Sequence, residues 1–489
     1  APPGMTKGGA CDTAWPGQMT LPLAINTATQ AGTPTQTGRI FAMAEIGGVL
    51  NAFSLGSVAG PSTRLLRWEW DGATATWTLT DISGATVTKV GKNVAIIGTE
   101  MYVGGLLTTG GNTTYWKSSN GTSWAATSFA DVTVPSCDWL SNMGTSTTIF
   151  WISGNVATPT VYSGFSLTTP IGTVPSTETI KAFFSWKDSA GVDVLYVLTD
   201  KHLRQSNSTP NAFTIVLSAV GSPFQSALVV GDHLLIGHGT KGSIMELAWD
   251  ANKGLVNWEL GLDAHDGQES DRLGPVTALF YASGWLFAVT SGDAAGLSTS
   301  VHKRRLATGA GWHSVYKAAT ANQSATVFYV SDADDSVARL HIAQENASTT
   351  DFLYYLNYPL ENPVNNSSVT YGNAVTHDFP EVAVAQGRTY ARVTGASLLA
   401  DGLSADETVG LSLSYDGAAV VSEGTFDSSL NFIQVGFLDG VQCQRVQVRV
   451  TLNRASGTAT NTPKLKAVYL ELDDNVAAMV PLAEVGAVG

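Results

Sequence analysis

Hydrophobic residues in this chain alternate with polar ones or fall in short apolar runs, and Gly, Asn, Asp or Ser bounds nearly every run. No stretch sustains the three-and-four spacing of an amphipathic helix, so the pattern predicts an all-β protein. The clearest strand signals are Val94–Ile97, Val194–Leu198, Ala227–Val230, Leu234–Ile236, Leu279–Tyr281 and Leu286–Val289. Gly, Asp or Ser supplies the hairpin turn between paired runs.

The pattern repeats. Ser226 to Gly261 and Thr277 to Tyr316 both read strand, tight turn, strand ending in a small residue, Gly-rich loop, strand, Gly turn and Trp-bearing strand. Lys89 to Phe129 and Phe41 to Thr80 follow the same order. From central turn to closing Trp the distance is 27 residues for Gly231 to Trp258, 28 for Gly284 to Trp312 and 29 for Gly48 to Trp77. The gap of 134 residues from Trp124 to Trp258 fits three intervals, so two further units lie at Pro135–Ser176 and Ile180–Pro223, with Phe or Ile near Phe165 and Phe213 in place of the Trp. A last, short unit runs from Ala325 to Pro363. Four-strand units of roughly 40 to 50 residues are the signature of a β-propeller. Seven blades is the first expectation; six is the alternative, with a strand from the N-terminal arm, such as Met19–Ile25, closing the ring.

After Pro363 the chain changes character: all 13 tryptophans lie at or before Trp312, and alternating strands follow at Val369–Phe379, Arg388–Gly395, Thr408–Tyr415, Phe432–Phe437, Val446–Leu452 and Leu465–Leu472. That spacing predicts a C-terminal β-sandwich. The expected organisation is an N-terminal arm (1–37), a β-propeller (38–363), a β-sandwich (364–475) and a C-terminal tail (476–489), with both ends ordered by their neighbours.

Composition narrows the function. The chain has 489 residues, 44% hydrophobic and only 13% charged, with a net charge of −14. The apolar content excludes general disorder, and the negative charge argues against direct sequence-specific binding of nucleic acid. No window approaches the ~18 consecutive apolar residues of a membrane helix. Cys11, Cys137 and Cys443 are odd in number and far apart, which leaves no disulfide framework and no paired metal-ligand spacing.

Few constellations suggest chemistry. Asp263, His265, Asp266, Glu269 and Asp271 crowd one loop and form a weak candidate for Ca²⁺, without the regular spacing of a calcium loop. Asp332, Asp334 and Asp335 read as a hairpin tip. Lys303, Arg304 and Arg305 form the one basic cluster and read as a solvated strand edge. His233 and His238 flank a strand at a separation that places them on opposite faces. There is no Gly-X-Ser-X-Gly elbow and no phosphate loop. No cofactor and no catalytic residue is expected.

Tyr115 to Trp124 resembles the sialidase Asp-box, one residue short, and reads as a turn whose Trp124 packs between blades. The 13 arginines hold no repeat-phased trio of the sialidase kind. The phrase Trp116-X-Ser118-X-Asn120-Gly121-X-Ser123-Trp124 and the C-terminal stretch His377 to Leu472, ending in an Arg-Val-Thr-Leu … Thr-Pro-X-Leu run, resemble structural proteins of bacteriophage tails, minor tail, tip or nozzle proteins among them. The resemblance implies a non-enzymatic virion protein whose partners are other tail proteins and copies of itself, with host glycan or receptor as a further contact. The rival readings are a glycan- or receptor-binding protein and a secreted propeller glycosidase, which would need a carboxylate pair about 5 to 9 Å apart.

Overall fold

A computed structural model describes residues 7–8, 26–31, 36–57, 62–107, 113–128, 136–154, 156–164, 170–207, 212–262, 272–292, 298–306, 312–318, 324–331, 338–345, 351–358, 371–372, 374–379, 381–384, 391–401, 403–427, 432–454, 460, 462–473 and 478–484. Apart from a single residue of helical turn at Arg272, the regular structure of these residues is strand.

Seven antiparallel sheets form the blades of a propeller. Blade 1 contains Gln36–Ile46, Val49–Ser57, Arg64–Asp71 and Thr76–Asp81. Blade 2 contains Val87–Ile97, Glu100–Leu107, Thr113–Ser118 and Ala125–Ser128. Blade 3 is Ser136–Ser141, Phe150–Gly154, Thr160–Ser163 and Pro170–Thr173. Blade 4 is Ile180–Lys187, Asp193–Thr199, His202–Ser206 and Phe213–Ser218. Blade 5 is Phe224–Val230, His233–His238, Ser243–Asp250 and Gly254–Glu259. Blade 6 is Val276–Ala282, Trp285–Thr290, Ser300–Arg305 and His313–Lys317. Blade 7 takes Ser324–Ser331, Arg339–Glu345 and Asp351–Asn357 from its own stretch and its fourth strand, Asn26–Thr27, from the arm. The first strand of each blade touches the first strand of the next, blade 7 onto blade 1 included, so the ring closes.

Packing explains the sequence pattern. Each second strand lies between two neighbouring blades, and Trp285–Thr290 and Phe150–Gly154 are buried along their whole length. Apolar runs, rather than alternation, therefore mark these strands, because both faces meet another sheet. The short last unit is explained too: it lacks a fourth strand because the arm supplies it, so the ring has seven blades and not six.

The sandwich has two sheets. One carries, in order, Lys7–Gly8, Ala374–Asp378, Arg445–Arg454, Glu407–Tyr415 and Val421–Phe426, with Val382–Ala383 also paired to Arg445–Arg454. The other runs Phe432–Cys443, Ala391–Ala400, Leu465–Asp473 and Ala478–Glu484. Here the alternation is plain, for Arg445–Arg454 buries Val446, Val448, Val450 and Leu452 and turns the residues between them outward. Ala478–Glu484 falls within the segment expected to be a tail, and it is instead the edge strand of a sheet. Pro481 sits there without disrupting a central ladder, as an edge position allows.

The arm joins the two parts. Lys7–Gly8 pairs antiparallel with Ala374–Asp378 of the sandwich, Asn26–Thr27 closes blade 7, and Thr29–Ala31 runs parallel along the outer strand of blade 1. The cores also merge: one apolar cluster runs from Phe287 and Val301 of blade 6 through Leu340 and Tyr358 of blade 7 to Tyr371, Val409 and Val450 of the sandwich.

Candidate functional site

A propeller offers its central axis as the natural site, so the innermost strands come first. Each of the seven carries a register shift near its start. An extra residue at such a bulge bends the strand and re-aims a side chain. In blades 3 to 6 the residue skipped by the pairing is Asp138, Lys181, Gln225 and Thr277 in turn. Blade 2 places Gly91, Lys92 and Asn93 in the equivalent shift.

These bulges form a collar of polar groups that bond from blade to blade. Asn93 acts as a backbone surrogate: its Nδ2 donates to the Leu140 carbonyl at 2.8 Å and its Oδ1 accepts from the Leu140 amide at 2.9 Å. Lys92 Nζ lies 3.9 Å from Asp138 Oδ2, and Lys181 Nζ donates to Gln225 Oε1 at 3.3 Å. Ser226 Oγ, beside Gln225, donates to the Val276 carbonyl of blade 6 at 2.7 Å. Asp138 also accepts a short hydrogen bond from Ser136, and its carboxylate occupies the space a side chain at Gly154 would need. Asn93, Lys92, Lys181, Gln225 and Ser226 thus tie neighbouring blades together, whereas the buried Thr277 hydroxyl of blade 6 has no hydrogen-bond partner among the described residues.

Outside the collar, blade 4 holds a buried ion cluster. Glu178 accepts from Thr199 Oγ1 at 2.7 Å and from Arg204 Nε at 3.1 Å and Nη2 at 2.5 Å, and it pairs with His202 Nδ1 at 3.0 Å. Burial opposes its charge, but the Arg204 and Thr199 hydrogen bonds outweigh that and hold its pKa below the ordinary carboxylate value. Glu178 precedes the first strand of blade 4 while Thr199, His202 and Arg204 follow from the second and third. The cluster fastens the blade's end together.

The Asp-box-like turn of blade 2 is a blade-to-blade staple. Ser118 Oγ accepts from the Gly121 amide at 2.9 Å, Asn120 Oδ1 accepts from the Thr122 and Ser123 amides at 3.0 and 2.9 Å, and Trp124 Nε1 donates to the Gly121 carbonyl at 3.0 Å. Trp124 then packs edge-on against Phe53 of blade 1, with ring centroids 5.3 Å apart. From blade 1, the buried Arg67 donates to the Thr122 carbonyl at 2.8 Å. Gly121 has φ +76°, and a Cβ there would stand 2.9 Å from Asn51 Nδ2 and 3.0 Å from Val49 Cβ. The turn does what the sequence suggested for Trp124.

The seam between blades 7 and 1 is aromatic. Trp70, Trp77 and Tyr355 surround His341, and the Arg339 guanidinium stacks on Trp70 and Tyr355 at 5.4 and 5.1 Å. Burial, and secondarily the Arg339 charge, lowers the His341 pKa to about 3, so the ring stays neutral.

The residues singled out from sequence fare unevenly. The loop Asp263, His265, Asp266, Glu269 and Asp271, and the tip Asp332, Asp334 and Asp335, lie outside the described residues. Among the described residues no group of three or more His, Cys, Asp or Glu is placed to hold a metal ion. His233 and His238 take separate partners, Glu246 at 2.6 Å and Glu259 at 3.2 Å. The basic cluster is not a solvated edge: it lies on the third of four strands, where Lys303 is buried between the rings of Trp285 and Tyr358, and Arg304 donates to the Leu260 carbonyl at 2.6 Å. Partners far away in sequence supply that environment. The collar was missed, yet its signal is repeat-phased: Ile180-Lys181, Phe224-Gln225 and Val276-Thr277 open their strands, and Cys137-Asp138 follows one residue after its strand begins, each an apolar residue followed by a polar one.

Among the described first-strand residues the carboxylates are Glu45 and Asp138. Glu45 lies four residues beyond the bulge residue Phe41, about 13 Å along the strand from the level that Asp138 occupies. That separation does not bring the two together as an acid/base pair.

No protein-family model matches the chain, and no curated protein matches it. Solved structures with a similar arrangement include YCF48 from Cyanidioschyzon merolae, with 10% identity and a TM-score of 0.43 over 67% of this chain and 97% of that one. The β-propeller domain of Cps50 (Swd1) from Myceliophteria thermophila shows 12% identity and a TM-score of 0.42 over 67% and 99%. An exo-β-1,3-galactanase from Phanerochaete chrysosporium shows 12% identity and a TM-score of 0.31 over 93% and 100%. Likeness this remote says nothing of activity, which has to be argued from the site.

Proposed function

We propose that the chain is a non-enzymatic structural subunit of a bacteriophage tail, in which the propeller is a rigid platform and the sandwich, arm and rim contact other tail proteins, further copies and the host surface. The observation that carries this reading is the engagement of most of the collar: all its named polar side chains but Thr277 bond to neighbouring blades or their own strand, Asn93, Lys181, Gln225, Ser226 and Asp138 among them. A catalytic centre needs groups free to meet a substrate. Two features support assembly. The arm binds ring and sandwich into one unit, and Ile215, Val220 and Trp258 stand exposed on the outer strands and the link of blades 4 and 5. Large exposed apolar side chains of this kind can be covered by a neighbouring subunit.

The sandwich corresponds to the stretch that resembles phage tail modules, which gives the virion its place in the proposal. An antibody against the chain should label the tail in images of the phage that encodes it. Purified particles that lack the chain would remove the reading. Binding of a host glycan or receptor is the second reading, favoured by the half-exposed indole of Trp258, a surface on which a sugar ring can stack. Substituting Trp258→Ala would then abolish binding to host cell walls, and unchanged binding would discard that contact.

A further inference from the structure

The arm is tied to its own ring at one place and not at another. Thr29–Ala31 on blade 1 is joined to the first strand of that blade, which begins at Gln36, by residues 32–35, a link of four. The five steps from Ala31 to Gln36 reach only about 18 Å, so Asn26–Ala31 must seat on the ring of its own chain. Lys7–Gly8, by contrast, is separated from Asn26 by residues 9–25, seventeen in all. Fully extended, that length spans about 56 Å or more. A compact body of this chain length has a radius of gyration near 23 Å and is therefore about 60 Å across, so the link is long enough to reach the sandwich edge of a copy that abuts its own subunit.

The pairing it makes is short and portable. Lys7 faces Asp378 and Gly8 faces His377 on the edge strand Ala374–Asp378, whose other side is held firmly by Arg445–Arg454. Asp378 is fixed there by Arg449, through hydrogen bonds of 2.5 and 2.8 Å. The edge is thus preformed, and any copy of the arm meets the same register.

We propose that Lys7–Gly8 is exchanged between copies, so that the arm of one subunit completes the sandwich sheet of its neighbour. This rests on the reading that copies of the chain assemble. Closed and exchanged forms make identical hydrogen bonds, so the balance between them is set by concentration. The tether supplies its own arm at an effective concentration in the mM range. Free subunits therefore stay closed, and exchange takes over where assembly holds a neighbour's edge closer than the subunit's own.

A photoreactive residue placed at Lys7 in the full chain tests this. After irradiation the assembled and monomeric fractions are separated and run on a denaturing gel, and the crosslinked peptides are sequenced. The expected result is a product of doubled mass from the assembled fraction, crosslinked to Ala374–Asp378, and a product of single mass from monomer. A single-mass product from the assembled fraction overturns the exchange while leaving assembly in place. A chain with no assembled fraction overturns both. The reciprocal variant, with the photoreactive group at Thr376, gives the same readout should Lys7 tolerate no replacement, and a doubled-mass crosslink mapping away from the arm would also refute the proposal.

Discussion

Ala28 is where the account of ring closure is most exposed to test. Its side chain is buried at the seam, among Trp70, Trp77, Ala343 and Leu353, and its amide donates to the Leu353 carbonyl at 3.2 Å. Ala28→Asp places a carboxylate in that apolar contact. Arg339 borders this seam, and its guanidinium is already stacked on two rings and bonded to the Gly72 carbonyl. A carboxyl so placed has its pKa raised by about 3 to 5 units when fully buried. At pH 7 the carboxyl escapes by taking up a proton, so the cost there is capped by the roughly 3 units between pH 7 and the unfolded value, about 4 kcal/mol at about 1.4 kcal/mol per unit, a large share of the stability of many domains. Urea unfolding of wild type and variant, followed by far-UV circular dichroism, measures the difference. Since the folded-state pKa is raised, the penalty is full above it and vanishes below the unfolded value near 3.9. The gap between the two proteins should therefore narrow as pH falls from 7 to 5. Ala28→Ser, which adds one hydroxyl, should cost about 1 to 3 kcal/mol with no such pH dependence. If Ala28→Asp unfolds within 0.5 kcal/mol of wild type, about the spread of surface substitutions, the arm does not close the ring.

Further predictions follow from the same geometry. His302 and His341 are fully buried with pKa values lowered to about 3, so the folded protein keeps them neutral while the unfolded chain protonates near 6.5. Stability contributed by each is intact above pH 6.5 and is lost on acidification, about 2 kcal/mol per histidine between pH 7 and 5; His341→Gln should flatten the urea midpoint against pH, and an unchanged slope would contradict the burial. Glu178→Ala leaves Arg204 and His202 without their carboxylate and should cost about 3 to 5 kcal/mol in urea unfolding, whereas a loss below 1 kcal/mol, typical of exposed pairs, would show the cluster to be solvated. Gly121→Ala forces a left-handed backbone and a close contact on blade 1, at about 1 to 3 kcal/mol; an unshifted unfolding midpoint would refute the blade 1 to blade 2 staple.

Much of the fold was legible because its signals are local and repeated. The closing tryptophans and turn glycines gave the blade period, and the two units without a closing Trp fell at the intervals that period required, as Ser136–Thr173 and Ile180–Ser218. The ring's closure was half legible. A shortfall in the last unit called for an arm strand; the expected stretch Met19–Ile25 lies outside the described residues, the arm strand found is Asn26–Thr27, and two residues carry no periodicity that could locate it. Ala478–Glu484 was hidden for a related reason, since small residues and Pro481 mimic a loop while an edge strand tolerates them. Lys303 shows the other limit. Its charge suggests solvent, but Trp285 and Tyr358 come from other parts of the chain and enclose it. The collar was present in the sequence as phased apolar-polar openings. It could be told from ordinary alternation only once the register shifts placed those residues at equivalent bulges.

The central claim, that this chain is an assembling platform and not a free enzyme or binder, is most directly tested by the native mass of the intact protein together with its symmetry in particle images. The account predicts a closed assembly: six or twelve copies for a nozzle or collar position, three for a tip or fibre. A chain that stays monomeric at every concentration and appears in no particle would contradict it.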